Sequence, residues 1–143
     1  MPISPTPNLP FPDLIRVSGA EAAFSSPEPG LRRRILAHNE KLMLVEHRME
    51  ATWVGSRHSH PHDQMVYVIQ GRLHFYCGGG LAFEARAGDS FVVRGGVEHS
   101  ARALEEAIVL DVFTPYREDY LQGAQSAGKQ SSDGQERDNQ ANR

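Results

Sequence analysis

A single cysteine, Cys77, rules out an intramolecular disulfide framework, and nothing basic but His74 lies near it to activate a thiolate. Long hydrophobic runs are missing too: the longest, Met65 to Ile69, is five residues, far short of a membrane span. No positive segment followed by an apolar stretch opens the chain, so no secretory signal is expected and a cytoplasmic protein is. Lysine is scarce, with Lys41 and Lys129 the only two among 15 basic residues, and the arginines are interleaved with acids. The formal charge is -3, which together with that scatter gives no reason to expect nucleic acid as a partner. Helical periodicity is absent as well. After residue 40 no stretch keeps an apolar stripe at i, i+3, i+4 and i+7, and only Gly19 to Phe24 offers one helical turn.

Among what is present, prolines stand at positions 2, 5, 7, 10 and 12, so residues 1–12 read as an extended arm. Residues 122–143 hold no apolar side chain larger than alanine and are expected to be a disordered polar tail. Residues 13–121 remain, enough for one compact domain. Their period is two. Leu42 to Glu50, Gln64 to Gln70, Arg72 to Cys77, Asp89 to Val93 and Ala107 to Phe113 read as strands, with glycines marking the turns. An all-β sandwich or barrel follows, a jelly roll being one such solution. Gly78-Gly79-Gly80 reads as a hairpin turn. Arg32-Arg33-Arg34 reads as a solvated strand edge, and His38, His47 and His74 as ordinary polar positions.

Histidine is the one enriched type, seven in all, with three inside Arg57-His58-Ser59-His60-Pro61-His62. Residues two apart on a strand share a face, so His58, His60, His62 and Gln64 can project together. Crowded imidazoles are awkward when charged and natural as neutral ligands of a divalent metal. Some forty residues on, Gly88 to His99 runs turn, strand, Gly-Gly turn and then a histidine opening another strand.

Here the chain resembles the cupin superfamily, whose motifs are G(X)5HXH(X)3,4E(X)6G and G(X)5PXG(X)2H(X)3N. The first maps onto His58, His60, Gln64 and Gly71, with spacing intact from the first histidine; the second maps onto Gly88, Gly96 and His99. The resemblance implies a single-domain double-stranded β-helix, a jelly-roll barrel, in which His58, His60, Gln64 and His99 converge on one metal ion. From the first histidine onward three positions depart from the motifs: Gln64 for Glu, Arg94 for Pro and Ala103 for Asn. Gln64 can coordinate through its carbonyl oxygen, but four neutral ligands leave the ion its full charge, which suits Lewis-acid work on an anion. His62 stands as an alternative fourth ligand. The metal is expected to be Zn, Ni, Fe or Mn.

Asp111 lies in the apolar run Ile108 to Phe113 and shares parity with Val109 and Phe113. A buried carboxylate needs a partner or a task, and near a metal that task is acid–base work. Arg117 follows, able to hold a substrate carboxylate in bidentate fashion or to pair with Glu118 or Asp119. The phrase from Leu110 to Leu121, with HSHPHDQ and GGVEHSA, is similar to the small cupins that linearise unsaturated uronates in pectin and alginate breakdown. That resemblance implies three His and one Gln on the metal, with Asp111, Phe113 and Arg117 lining the pocket as the catalytic set. Gln64, a departure from the general motif, is the expected residue there. A small anionic substrate and a homodimer are the expected partners. A cupin dioxygenase and a non-catalytic small-molecule sensor are the rival readings.

Overall fold

The computed structural model describes residues 11–122. Nearly the whole of the expected arm and tail lies outside them; of the arm, Phe11 packs edge-on against His38 and Tyr116. Among the described residues nine strands form: β1 (Ser25–Glu28), β2 (Leu31–His38), β3 (Met43–Met49), β4 (Asp63–Gln70), β5 (Arg72–Cys77), β6 (Leu81–Arg86), β7 (Ser90–Val93), β8 (His99–Ala103) and β9 (Ala107–Thr114). They make two antiparallel sheets, one ordered β1-β2-β3-β9-β4-β7 and one ordered β6-β5-β8. This is the expected all-β jelly roll. The turn expected near the start is present, with Ser18 O accepting from the amides of Glu21 and Ala22. Residues 118–122 form a short helix that periodicity does not reveal. Among the described residues no helix is long and apolar enough to cross a membrane.

Strand alternation sorts the side chains. In β3, Met43, Val45, His47 and Met49 are buried on one face, and in β9 Ala107, Val109, Asp111 and Phe113 are. One apolar cluster joins the two sheets through Leu31, Met49, Val66, Val68, Leu73, Ala103 and Val109. A second, around Met43, Val45 and Phe113, is closed by Tyr120 of the terminal helix. Between them runs a row of polar inward-facing residues: Arg33 on β2, His47 on β3, Asp111 on β9 and Gln64 on β4.

Two sequence expectations are corrected here. Arg33 is no solvated edge residue: β2 has β1 on one side and β3 on the other, and Arg33 is 2% exposed. His47 is not an ordinary polar position either, since it is buried within the row.

Glycine is required at two positions, Gly95 beside the histidine segment and Gly71 at the other end of β4. A side chain at Gly95 would collide with the carbonyl oxygen of Pro61, and Gly71, at φ 85°, lies against the carbonyl oxygen of Glu106. The close approach at Gly95 lets its amide bond Asp63 Oδ1 at 2.7 Å, while Gly96 N bonds His60 O at 2.8 Å. The histidine segment is thereby fastened to the Gly-Gly turn.

Candidate metal centre

Backbone pairing brings the distant histidine to the cluster. His58 and His99 form an isolated antiparallel bridge, each amide donating to the other's carbonyl at 3.1 and 2.9 Å. His60 follows two residues later, and the ligand atoms of His58, His60 and His99 all lie within 4.8 Å of one another. His62 stands outside this group, in the bend before β4, with its ring 6.4 Å from that of Phe113.

The partners of each ring assign its protons. Nδ1–H of His58 donates to Ser56 O at 3.2 Å, that of His60 to His62 O at 3.1 Å, and that of His99 to Val97 O at 2.8 Å. All three Nε2 lone pairs therefore face inward. Nε2 of His58 and of His99 is buried and has no hydrogen-bond partner among the described residues. Gln64 Nε2 donates to Asp111 Oδ1 at 2.8 Å, which turns Gln64 Oε1 toward His60 Nε2, 3.0 Å away. Four acceptors thus converge without a donor between them, an arrangement that a cation resolves. The 3.0 Å contact is also about the separation of two ligands each ~2.1 Å from one ion.

The electrostatics agree. Burial, reinforced by the neighbouring imidazoles of His99 and His60, pushes His58 down to about 2. Burial and Arg117 push His60 down to about 4, and burial lowers His99. The rings are neutral near pH 7, the form in which imidazole binds metal. The residues fit a divalent ion, which His58, His60 and His99 would hold with the Gln64 carbonyl beside them.

Beside them lies a small cavity of about 70 Å³, open to solvent on one side. Gln64, His58, His99 and Asp111 line it, with Trp53 and Phe75 on its apolar wall. Asp111 is 2% exposed and doubly held, Oδ1 by Gln64 and Oδ2 by His47 Nδ1 at 2.6 Å. Phe113 and Arg117 lie one layer behind. The Phe113 ring packs edge-on against His60 at 5.7 Å, and the Arg117 guanidinium stacks on Phe113 and Tyr120 at 4.9 and 4.2 Å. Arg117 is clasped by Asp119, Nε to Oδ1 at 3.0 Å and Nη2 to Oδ2 at 2.8 Å, the pairing that the sequence had left open beside a substrate carboxylate.

The cupin domain family matches residues 45–113. Over 74% of this chain and 97% of the other, the fold superposes on KdgF from a Halomonas species at 35% identity and a TM-score of 0.70. The chain belongs to the cupin family. A second cupin, the RmlC-like protein from Shewanella frigidimarina, is 33% identical over 73% of this chain and 94% of its own, again with a TM-score of 0.70. The oxalate decarboxylase of Lactobacillus farciminis, at 22% identity, 77% of this chain, 36% of its own and a TM-score of 0.65, shares the fold alone. No curated protein sequence matches the chain. In this cupin, His47 and Arg33 are the site residues that sequence reasoning missed. Their signal was parity: His47 alternates with Val45 and Met49, and Arg33 with Leu31 and Ile35, on faces that are otherwise apolar.

Proposed function

We propose that this cupin is a metal-dependent enzyme that opens the ring of a small unsaturated uronate to give an open-chain keto acid. The observation that carries this reading is the convergence of His58, His60, His99 and the Gln64 carbonyl, with Asp111 bonded directly to Gln64. That is the residue set implied by the resemblance to uronate-linearising cupins.

A bound divalent ion would supply Lewis-acid polarisation of a substrate oxygen. The four neutral ligands add no negative charge of their own, which favours an anionic substrate. Asp111 lines the cavity and keeps lone pairs beyond the two engaged by Gln64 and His47. It takes the proton of the anomeric hydroxyl as the bond from that carbon to the ring oxygen breaks. A proton returned to the alkene carbon converts the enol to a ketone, so substrate and product have the same formula. Arg117 fixes the substrate carboxylate, which takes the place Asp119 occupies on the guanidinium. Phe113 is the wall that sets the distance between Arg117 and the histidines.

The chemistry needs no oxygen. Zn-loaded protein under anaerobic conditions is expected to convert 4,5-unsaturated galacturonate or mannuronate monomer to a product that reacts with carbonyl reagents. Turnover that requires and consumes O2 would replace this reading with a dioxygenase. Bound uronate recovered unaltered would replace it with a sensor.

A further inference from the structure

The polar row across the large sheet has a direction. Arginine only donates hydrogen bonds, and Arg33 Nε donates to His47 Nε2 at 3.2 Å. His47 must then carry its proton on Nδ1, which faces Asp111 Oδ2 at 2.6 Å. Burial keeps His47 below its ordinary value against the pull of Asp111, so the ring is neutral and its Nε2 is free to accept. With one oxygen taken by that N–H, the Asp111 carboxylate offers the other to Gln64, and it can only accept. Gln64 therefore places its amide nitrogen on Asp111 and its oxygen among the histidines.

Sheet register builds this chain of bonds. Arg33 lies directly opposite His47, and His47 opposite Val109, one step along the same face from Asp111. Asp111 lies opposite Val66, one step along from Gln64. Apolar clusters lie above and below the row. Arg33, His47 and Asp111 are 2%, 7% and 2% exposed. Facing imidazole lone pairs, an amide held by nothing else would turn its NH2 toward them in the metal-free site. The nitrogen end has no lone pair for a metal, so the choice decides whether Gln64 is a ligand at all.

We propose that Arg33 and His47 are positioning residues which, acting through Asp111, fix the Gln64 amide with its oxygen toward the metal. The proposal rests on the metal centre and not on the uronate assigned above, so a failed turnover assay leaves it intact.

Asp111→Asn gives the sharpest test, because it keeps the shape. The proton on His47 Nδ1 forces the new side chain to present its oxygen to His47 and its NH2 to Gln64. Gln64 must then turn over and withdraw its oxygen from the ion. Zn2+ affinity, measured by competition with a chromogenic chelator, is expected to fall ~10- to 100-fold, the usual cost of losing an outer partner of a ligand. The visible spectrum of the Co2+-loaded variant is expected to change with the lost oxygen ligand. His47→Leu breaks the row one step farther out and is expected to weaken Zn2+ binding over the same range. His47→Gln restores it to within about threefold, because an amide can accept from Arg33 and donate to Asp111 as the imidazole does. Wild-type Zn2+ affinity and an unaltered Co2+ spectrum in folded Asp111→Asn would overturn the proposal, whether or not His47→Leu folds. So would equal Zn2+ affinities of folded His47→Leu and His47→Gln.

Discussion

Arg117 is held on three sides, with Phe113 and Tyr120 against its plane and Asp119 on its fork, and it is 1% exposed. Such a guanidinium has one kind of vacancy to offer, the two-pronged edge now on Asp119. A carboxylate substrate that displaced Asp119 would form the same two-pronged pair. Arg117→Lys keeps the charge and loses the fork, so KM for the uronate should rise at least tenfold, about 1.4 kcal/mol, with kcat changed less. Steady-state kinetics on the folded variant decide it, and an unchanged KM would remove Arg117 from substrate binding. The histidines and Gln64 were legible in the sequence because their spacing is local or falls in a recognisable turn context. His47 and Arg33 were not, because their meaning depends on partners 64 and 14 positions away, made neighbours only by strand pairing.

Strands with strong alternation read directly from the chain. β3, β4, β5, β7 and β9 fall within a residue or so of where alternation and glycine turns put them. β1 did not, since Pro27 suggests a break. The structure tolerates it because β1 is the outer strand of its sheet, where a missing amide donor costs no ladder bond. β6 did not either, because Leu81 to Arg86 mixes alanines with charges and owes its pairing to the tight glycine hairpin before it. The connection from β3 toward the histidines contains Thr52 at φ 72°, the left-handed region that costs a β-branched residue about 1–2 kcal/mol. Counting back from His58, this is where the first cupin motif has its glycine. Thr52→Gly should stabilise the fold by about 0.5–1 kcal/mol, after allowing for the greater freedom of glycine in the unfolded chain. Urea unfolding midpoints measure it, and a lower midpoint would show that the Thr52 side chain contributes more than its backbone costs.

Three neutral imidazoles gathered at one end of a small barrel make the fold as a whole sensitive to acid. In metal-free protein, His60 and His58 titrate at about 4 and about 2 when folded, against 6.5 when free. Between those values and 6.5 the unfolded chain binds protons that the folded one does not. Stability is therefore complete above 6.5 and declines as pH falls through it, with the loss from His60 finished near 4. Thermal melts of metal-free protein should show Tm dropping steadily from pH 7 to pH 4, and a flat profile would mean that the rings take up protons alike in the folded and unfolded chain. Bound metal should raise Tm at pH 8 and lose that effect toward pH 5, because protons and the ion compete for the same nitrogens.

The jelly roll, the converging histidines and the polar row give this cupin a candidate metal centre with a buried carboxylate beside it, and the function proposed for it is ring opening of an unsaturated uronate. Ring opening followed by ketone formation destroys the conjugated C=C bond, so its absorbance reports the reaction without coupling enzymes. Protein of measured metal content, mixed with 4,5-unsaturated galacturonate or mannuronate monomer, should remove that absorbance at a rate well above the spontaneous one. Chelator-stripped protein should not. Absorbance that decays no faster with fully metal-loaded wild-type protein than in buffer would contradict the proposed activity.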